Sequence, residues 1–111
     1  MKMLYSLVLF CAVSTPAFAA FIGPSATTIN NVQEAIKASD DTPIMLTGYI
    51  TQSLGNEDYL FKDATGEIKA EIDHESWQGQ DVSPRDTVVI YGEVDNDWNE
   101  KTIDVDRIVK K

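Results

Sequence analysis

The chain of 111 residues has one cysteine, Cys11, and one histidine, His74. That scarcity leaves most nucleophilic and metal-centred chemistries short of parts. Neither a G-x-S-x-G elbow nor zinc-ligand spacing occurs. Positive charge is scarce as well: nine Lys and Arg stand against eighteen Asp and Glu, a formal net charge of −9. A phosphate brought near such a surface meets net repulsion, and single-strand binders need a basic groove with several stacking aromatics, so nucleic acid is not expected as a partner. Beyond the N-terminal region no run is apolar enough to span a bilayer, so no membrane span is expected. Paired carboxylates can run glycoside hydrolysis, but a domain this small offers no deep cleft in which to distort a sugar. Neither an enzyme nor a cofactor is expected. What is present is 43% hydrophobic residues, enough for one core in one domain.

The N-terminus reads as an address. Lys2 is the only charge before Glu34, Met3 to Val13 is a short, largely apolar run, and Pro16 then interrupts it. Ala17-Phe18-Ala19 supplies the small residues of a cleavage site, so residues 1–19 are expected to be a cleaved secretory signal. Cleavage removes Lys2 and Cys11, leaving eight basic against eighteen acidic residues, a net charge of −10 over 92 residues. A cysteine-free exported domain suits a bacterial periplasm.

Residues 20–28, with Gly23, Pro24 and Ser25, read as a flexible leader ahead of a domain over 29–111. Ile29, Val32, Ala35 and Ile36 fall at helical spacing, which predicts an amphipathic helix of about ten residues capped by Thr28 or Asn30. After Pro43 the period becomes two. Strands are predicted around 44–50, 59–62, 68–72, 87–94 and 102–109. Turns are expected at Leu54 to Glu57 and at Asp63 to Gly66, the latter with Gly66 left-handed. A short helical turn or loop is expected over His74 to Val82, and a polar hairpin loop over Asp95 to Glu100. Gly48 interrupts the first strand, as a bulge or tight bend would. The fold class is therefore mainly β: a five-stranded Greek-key barrel of the OB type with an N-terminal α-helix. An SH3-like barrel or an open five-stranded sheet is the alternative.

Three runs also carry a resemblance: Leu46-Thr47-Gly48-Tyr49-Ile50, then Tyr59 through Ile68, then Gly92-Glu93-Val94-Asp95 with Asp97-Trp98. In this order they are similar to the bacterial OB-fold (BOF) family, the YgiW/YdeI-like periplasmic stress-tolerance proteins, over about residues 28–109. The resemblance implies a signal peptide, a helix packed on an OB barrel, and a non-enzymatic envelope role. It supplies no ligand.

Ligands of OB barrels usually meet the face of strands two and three and the loops between strands one–two and four–five. Alternation places Ile44, Leu46, Ile50, Tyr59, Phe61, Ile68, Ala70, Ile72, Val88, Ile90, Val94, Ile103 and Val105 inside. Tyr49, Leu60, Lys62, Lys69 and Glu71 then point outward. The candidate ligand-binding residues are Tyr49, Asn56, Glu57, Lys62, Lys69, Asp95, Asp97 and Trp98. Tyr49 and Trp98 can stack, and the acids can hydrogen-bond or attract positive charge. Trp98 either packs back on the barrel or stands free, while Trp77 is expected to plug one barrel end. Asp95, Asp97 and Asn99 have the 1, 3, 5 spacing of a calcium loop, but Glu100 stands where that loop needs glycine, which excludes an EF-hand. Asp95, Asp97, Asn99 and Glu100 remain a weak metal alternative. The expected partner is an envelope component: a peptidoglycan fragment, a cationic peptide or a periplasmic protein. The rival function is an acidic buffer for metal or other cations.

Overall fold

The computed structural model describes residues 28–111. The expected signal peptide, and the leader except for Thr28, lie outside the described residues. In order come α1 (Val32–Lys37), β1 (Pro43–Gly55), β2 (Asp58–Asp63), β3 (Gly66–Ile72), a short 3-10 turn (His74–Trp77), β4 (Val88–Asp97) and β5 (Glu100–Lys110). The strands close into a barrel in the order β1-β2-β3-β5-β4. β3 and β5 run parallel and every other pair is antiparallel. This is the OB architecture, and closure removes the exposed edges that an open sheet would leave.

β1 closes the barrel because it serves two partners. Pro43 to Gly48 pairs with β4, and Tyr49 onward pairs with β2. Gly48 sits at that change of partner, where a Cβ would run into the Lys62 carbonyl and come within 2.8 Å of the Phe61 ring. The bend needs glycine for close approach. Gly92 does the same work in β4, where a Cβ would run into the Asp104 carbonyl.

The expected inward set is buried except for Tyr59, which is half-buried and meets Trp77 edge-on at 5.2 Å. Trp77 packs against the core, as expected of a plug. Ile108 is buried too, although simple alternation from Ile103 and Val105 assigns the inward place to Arg107. A bulge between Tyr91 and Gly92 skips Asp106, shifts the phase of β5 and turns Ile108 inward. Arg107 turns outward and stacks over Tyr91, 4.2 Å from the ring centroid.

Three local expectations are corrected. The helix begins later and is shorter than predicted, six residues capped by Asn31 rather than by Thr28 or Asn30. Ile29 is extended instead: its N–H donates to the Pro43 carbonyl and its carbonyl accepts from Met45 N–H. A residue that pairs with β1 cannot also wind a helix. Val32 and Ala35 face the core, whereas Ile36 is 47% exposed. Gly66 is not left-handed; three consecutive residues that are, Gly55, Asn56 and Glu57, lie in and beside the β1–β2 turn. Finally, Asp95 to Glu100 is ladder rather than loop, with only Trp98 and Asn99 between β4 and β5. Exposed acids on a two-stranded ribbon keep their backbone paired, so polarity there does not signal a loop.

Candidate functional site

The outward side chains of β2 and β3 fall into three rows set by strand register. In the first, Tyr49 stands opposite Lys62, and Lys62 opposite Glu67. The second runs Leu60, Lys69, Thr102, Asp95. The third runs Asp58, Glu71, Asp104, Glu93, a carboxylate on each of four adjacent strands. Like charges directly opposite destabilise a sheet. Burial first, then the nearby Asp104, Asp58, Asp73 and Glu57, push Glu71 above the usual glutamate range. Burial, then Asp106, Asp73 and Asp95, push Asp104 upward likewise.

Lys69 offsets part of this repulsion. Its Nζ donates to Glu100 Oε1 at 3.0 Å and lies 3.8 Å from Asp58 Oδ2, joining the start of β2 to the start of β5. The Glu100 hydrogen bond is the largest cause holding its ammonium above the usual lysine range. Glu57 ties the β1–β2 turn to the end of β3. Its carbonyl accepts from Ile72 N–H at 2.9 Å, and its Oε2 accepts from His74 N–H at 3.2 Å. Asn56, beside it, is exposed in a left-handed conformation that asparagine tolerates. Carboxylate oxygens of Glu57, Glu71 and Asp73 lie within 4.8 Å of one another, a spacing that could hold a cation. Of these only Glu57 was a sequence candidate. Asp95, Asp97, Asn99 and Glu100 lie instead on the β4–β5 ribbon and its turn, and they are not part of that group.

Trp98 is 95% exposed at the tip of the β4–β5 ribbon, which decides the question of its packing: it stands free. Asp97 and Glu100 flank it as the last ladder pair.

Tyr49 and Lys62 lie elsewhere on the face, in a groove of about 440 Å³ that they line with Thr51, Asp63, Ala64 and Pro84. Trp98 is not among its walls. The β2–β3 turn at one side of the groove is built around Asp63. Its Oδ1 accepts from Thr65 N–H, Thr65 Oγ1 and Gly66 N–H, and its Oδ2 accepts from Val32 N–H at the start of α1. Thr65 Oγ1 in turn accepts from Gln33 N–H and Asn31 Oδ1 from Glu34 N–H, so side chains satisfy the first three helical donors. Burial opposes ionisation of Asp63, yet the hydrogen bonds from Thr65, Val32 and Gly66 together hold its carboxyl below the usual range.

The structure thus divides the eight sequence candidates. Tyr49 and Lys62 share the groove; Lys69, Glu57 and Asn56 occupy the middle of the face and the β1–β2 turn; Asp95, Asp97 and Trp98 form the β4–β5 ribbon. Sequence reasoning missed Thr51, Asp63, Ala64 and Pro84 as groove walls. An Asx-turn reading of Asp63-Ala64-Thr65 was available for Asp63. Nothing local marks Pro84, which arrives from a distant connection.

Residues 12–110 match the family described as Bacterial OB fold (BOF) protein. Protein YgiW of Escherichia coli strain K12 is 42% identical over 113 residues, covering 87% of this chain and 87% of its own length. The calcium-regulated OB-fold protein CarO of Pseudomonas aeruginosa is 40% identical over 89 residues, covering 79% of this chain and 77% of its own. The solved structure of YgiW from Escherichia coli superposes with a TM-score of 0.73 at 45% identity, over 85% of this chain and all of that one, 100%.

Proposed function

Since the chain belongs to the bacterial OB-fold (BOF) family, we propose that it is a non-enzymatic periplasmic binding or adaptor protein acting in envelope stress tolerance. It engages an envelope component through the β2–β3 face and the two turns that flank it. The carrying observation is Trp98, 95% exposed at a ribbon tip beside Asp97 and Glu100. A free indole offers a large stacking surface at small entropic cost, and such residues dominate binding energy where partners meet. A peptidoglycan fragment, a cationic peptide and a periplasmic protein each suit an aromatic plate with acidic flanks.

An amide NMR titration with soluble peptidoglycan fragments, at low and high salt, tests the reading. Saturable, salt-resistant shifts around Asn56 and Trp98 are expected, and Trp98→Ala abolishes those at the ribbon. A folded Trp98→Ala protein that binds unchanged removes Trp98 from the account.

A second reading, cation buffering, draws on the Glu57, Glu71 and Asp73 group and on the carboxylate row beside it. The name of the Pseudomonas relative, calcium-regulated, accords with it. It predicts diffuse, salt-sensitive shifts over the acidic residues that no single substitution abolishes.

A further inference from the structure

The groove beside Tyr49 sets a free cation next to an aromatic ring. In a chain of net charge −9, it presents an ammonium group, Lys62 Nζ, with no hydrogen bond or ion pair to any described residue. Lys69 and Lys110 are committed to carboxylates and Lys101 to the Ala38 carbonyl, while Lys37 and Lys111, whose side chains also make no bond to a described residue, do not line the groove. Two acids lie near enough to matter. Glu67, opposite Lys62 in the ladder, makes no ion pair with it. Asp63 lines the groove, but both its oxygens are spent on the β2–β3 turn and the helix start. Tyr49, 41% exposed, stands directly across the ladder from Lys62, so a ring face and a free cation adjoin. Pro84 and Ala64 add apolar wall, and Thr51 spends its hydroxyl hydrogen on the Leu60 carbonyl. The volume, about 440 Å³, is within the range of small-molecule sites.

We infer that this groove is a subsite for a sugar ring carrying a carboxylate: the ring lies on Tyr49 and the carboxylate pairs with Lys62. A pyranose has the flat C–H face that stacks on an aromatic ring. One ammonium suits a monoanion; a phosphate dianion calls for several convergent donors, and the groove walls supply one cation. This rests on the binding-module reading and names a ligand class for part of the face, apart from Trp98.

The test is an amide NMR titration of the protein with glucuronic acid, glucose and glucose 6-phosphate, repeated on Lys62→Gln and Tyr49→Phe. Glucuronic acid should shift Tyr49, Thr51 and Ala64 and bind about tenfold tighter than glucose, as one charge-assisted pair allows. Lys62→Gln should erase that tenfold preference and leave glucose binding unchanged, an outcome that a merely structural lysine would not produce. Tyr49→Phe keeps the ring and should keep the preference. Equal affinity for glucuronic acid and glucose, or a preference that survives Lys62→Gln, overturns the assignment; tighter binding of the phosphate overturns the choice of carboxylate. A silent groove with peptidoglycan-induced shifts at Trp98 sinks the subsite and spares the binding-module reading. Silence at both sinks both.

Discussion

Asp63 and Glu71 are two carboxylates at opposite ends of the β2–β3 hairpin, and the fold treats them in opposite ways. Asp63 ends β2 where backbone N–H groups from the turn and from α1 converge on it, and its carboxyl is held below the usual range. Glu71 lies in β3 between Asp58 and Asp104, with Asp73 and Glu57 nearby, and its carboxyl is pushed up. The residue class is the same and the sign differs. What matters is whether the backbone aims donors or other carboxylates at the group. One end of the hairpin is therefore held by its charge, and the other carries repulsion that a cation or a proton relieves.

Removing the favourable member should have the largest effect. Asp63→Ala strips the helix start and the β2–β3 turn of their acceptor, and a loss of about 2 kcal/mol is expected in chemical denaturation. Gln33 and Glu34 amides would keep their own caps, so hydrogen exchange should quicken most at Val32, Thr65 and Gly66.

Proton linkage sharpens the contrast. For Glu71 and Asp104 the folded pKa is raised, so their contribution is full below the unfolded pKa and is lost as pH rises through the folded one. For Asp63 the folded pKa is depressed, so its contribution is present above the unfolded pKa and lost as pH falls through the folded one. Thermal melts should therefore show stability rising as pH falls from neutral toward the unfolded carboxylate range, about 4, and falling below it. Asp63→Asn should flatten the acid-side fall, and Glu71→Gln should shrink the rise. A monotonic loss of stability from pH 7 downward in the unmodified protein would mean that the two ends of the hairpin do not respond to protons in opposite senses.

Relieving the unfavourable member has a smaller effect of opposite sign. Glu71→Gln takes one charge out of the cross-strand row and should stabilise by about 0.5 kcal/mol at pH 7, less in high salt. Trp98→Ala sets the lower bound: with 95% of the residue exposed, its stability should stay within about 0.5 kcal/mol of the parent. A larger loss would mean that Trp98 packs in solution and would withdraw it as a contact residue.

Much of this is legible in the sequence. Alternation named thirteen inward positions, and all are buried except Tyr59, which is half-buried, because a closed barrel buries one face of each strand continuously. Ile108 was missed because a bulge changes phase without marking the sequence. Apolar spacing predicts too long a helix because it cannot show that the Ile29 backbone pairs with β1. The site was legible as residues and not as groups. Exposure of Tyr49, Lys62 and Lys69 follows from parity, but the separation of Tyr49 and Lys62 from Trp98 does not.

The thirteen inward positions set by alternation, the bend at Gly48 and the excess of negative charge therefore follow from the sequence, since each depends on local chemistry or parity. Which carboxylates face one another, that Asp63 gathers donors, that Lys62 stands unpaired beside Tyr49, and that Trp98 stands free came only with the tertiary structure. Those outcomes depend on register across strands and on segments remote in the chain, such as Val32 against Asp63 and Pro84 beside Tyr49. Register is a property of paired backbones, and no single strand encodes it alone.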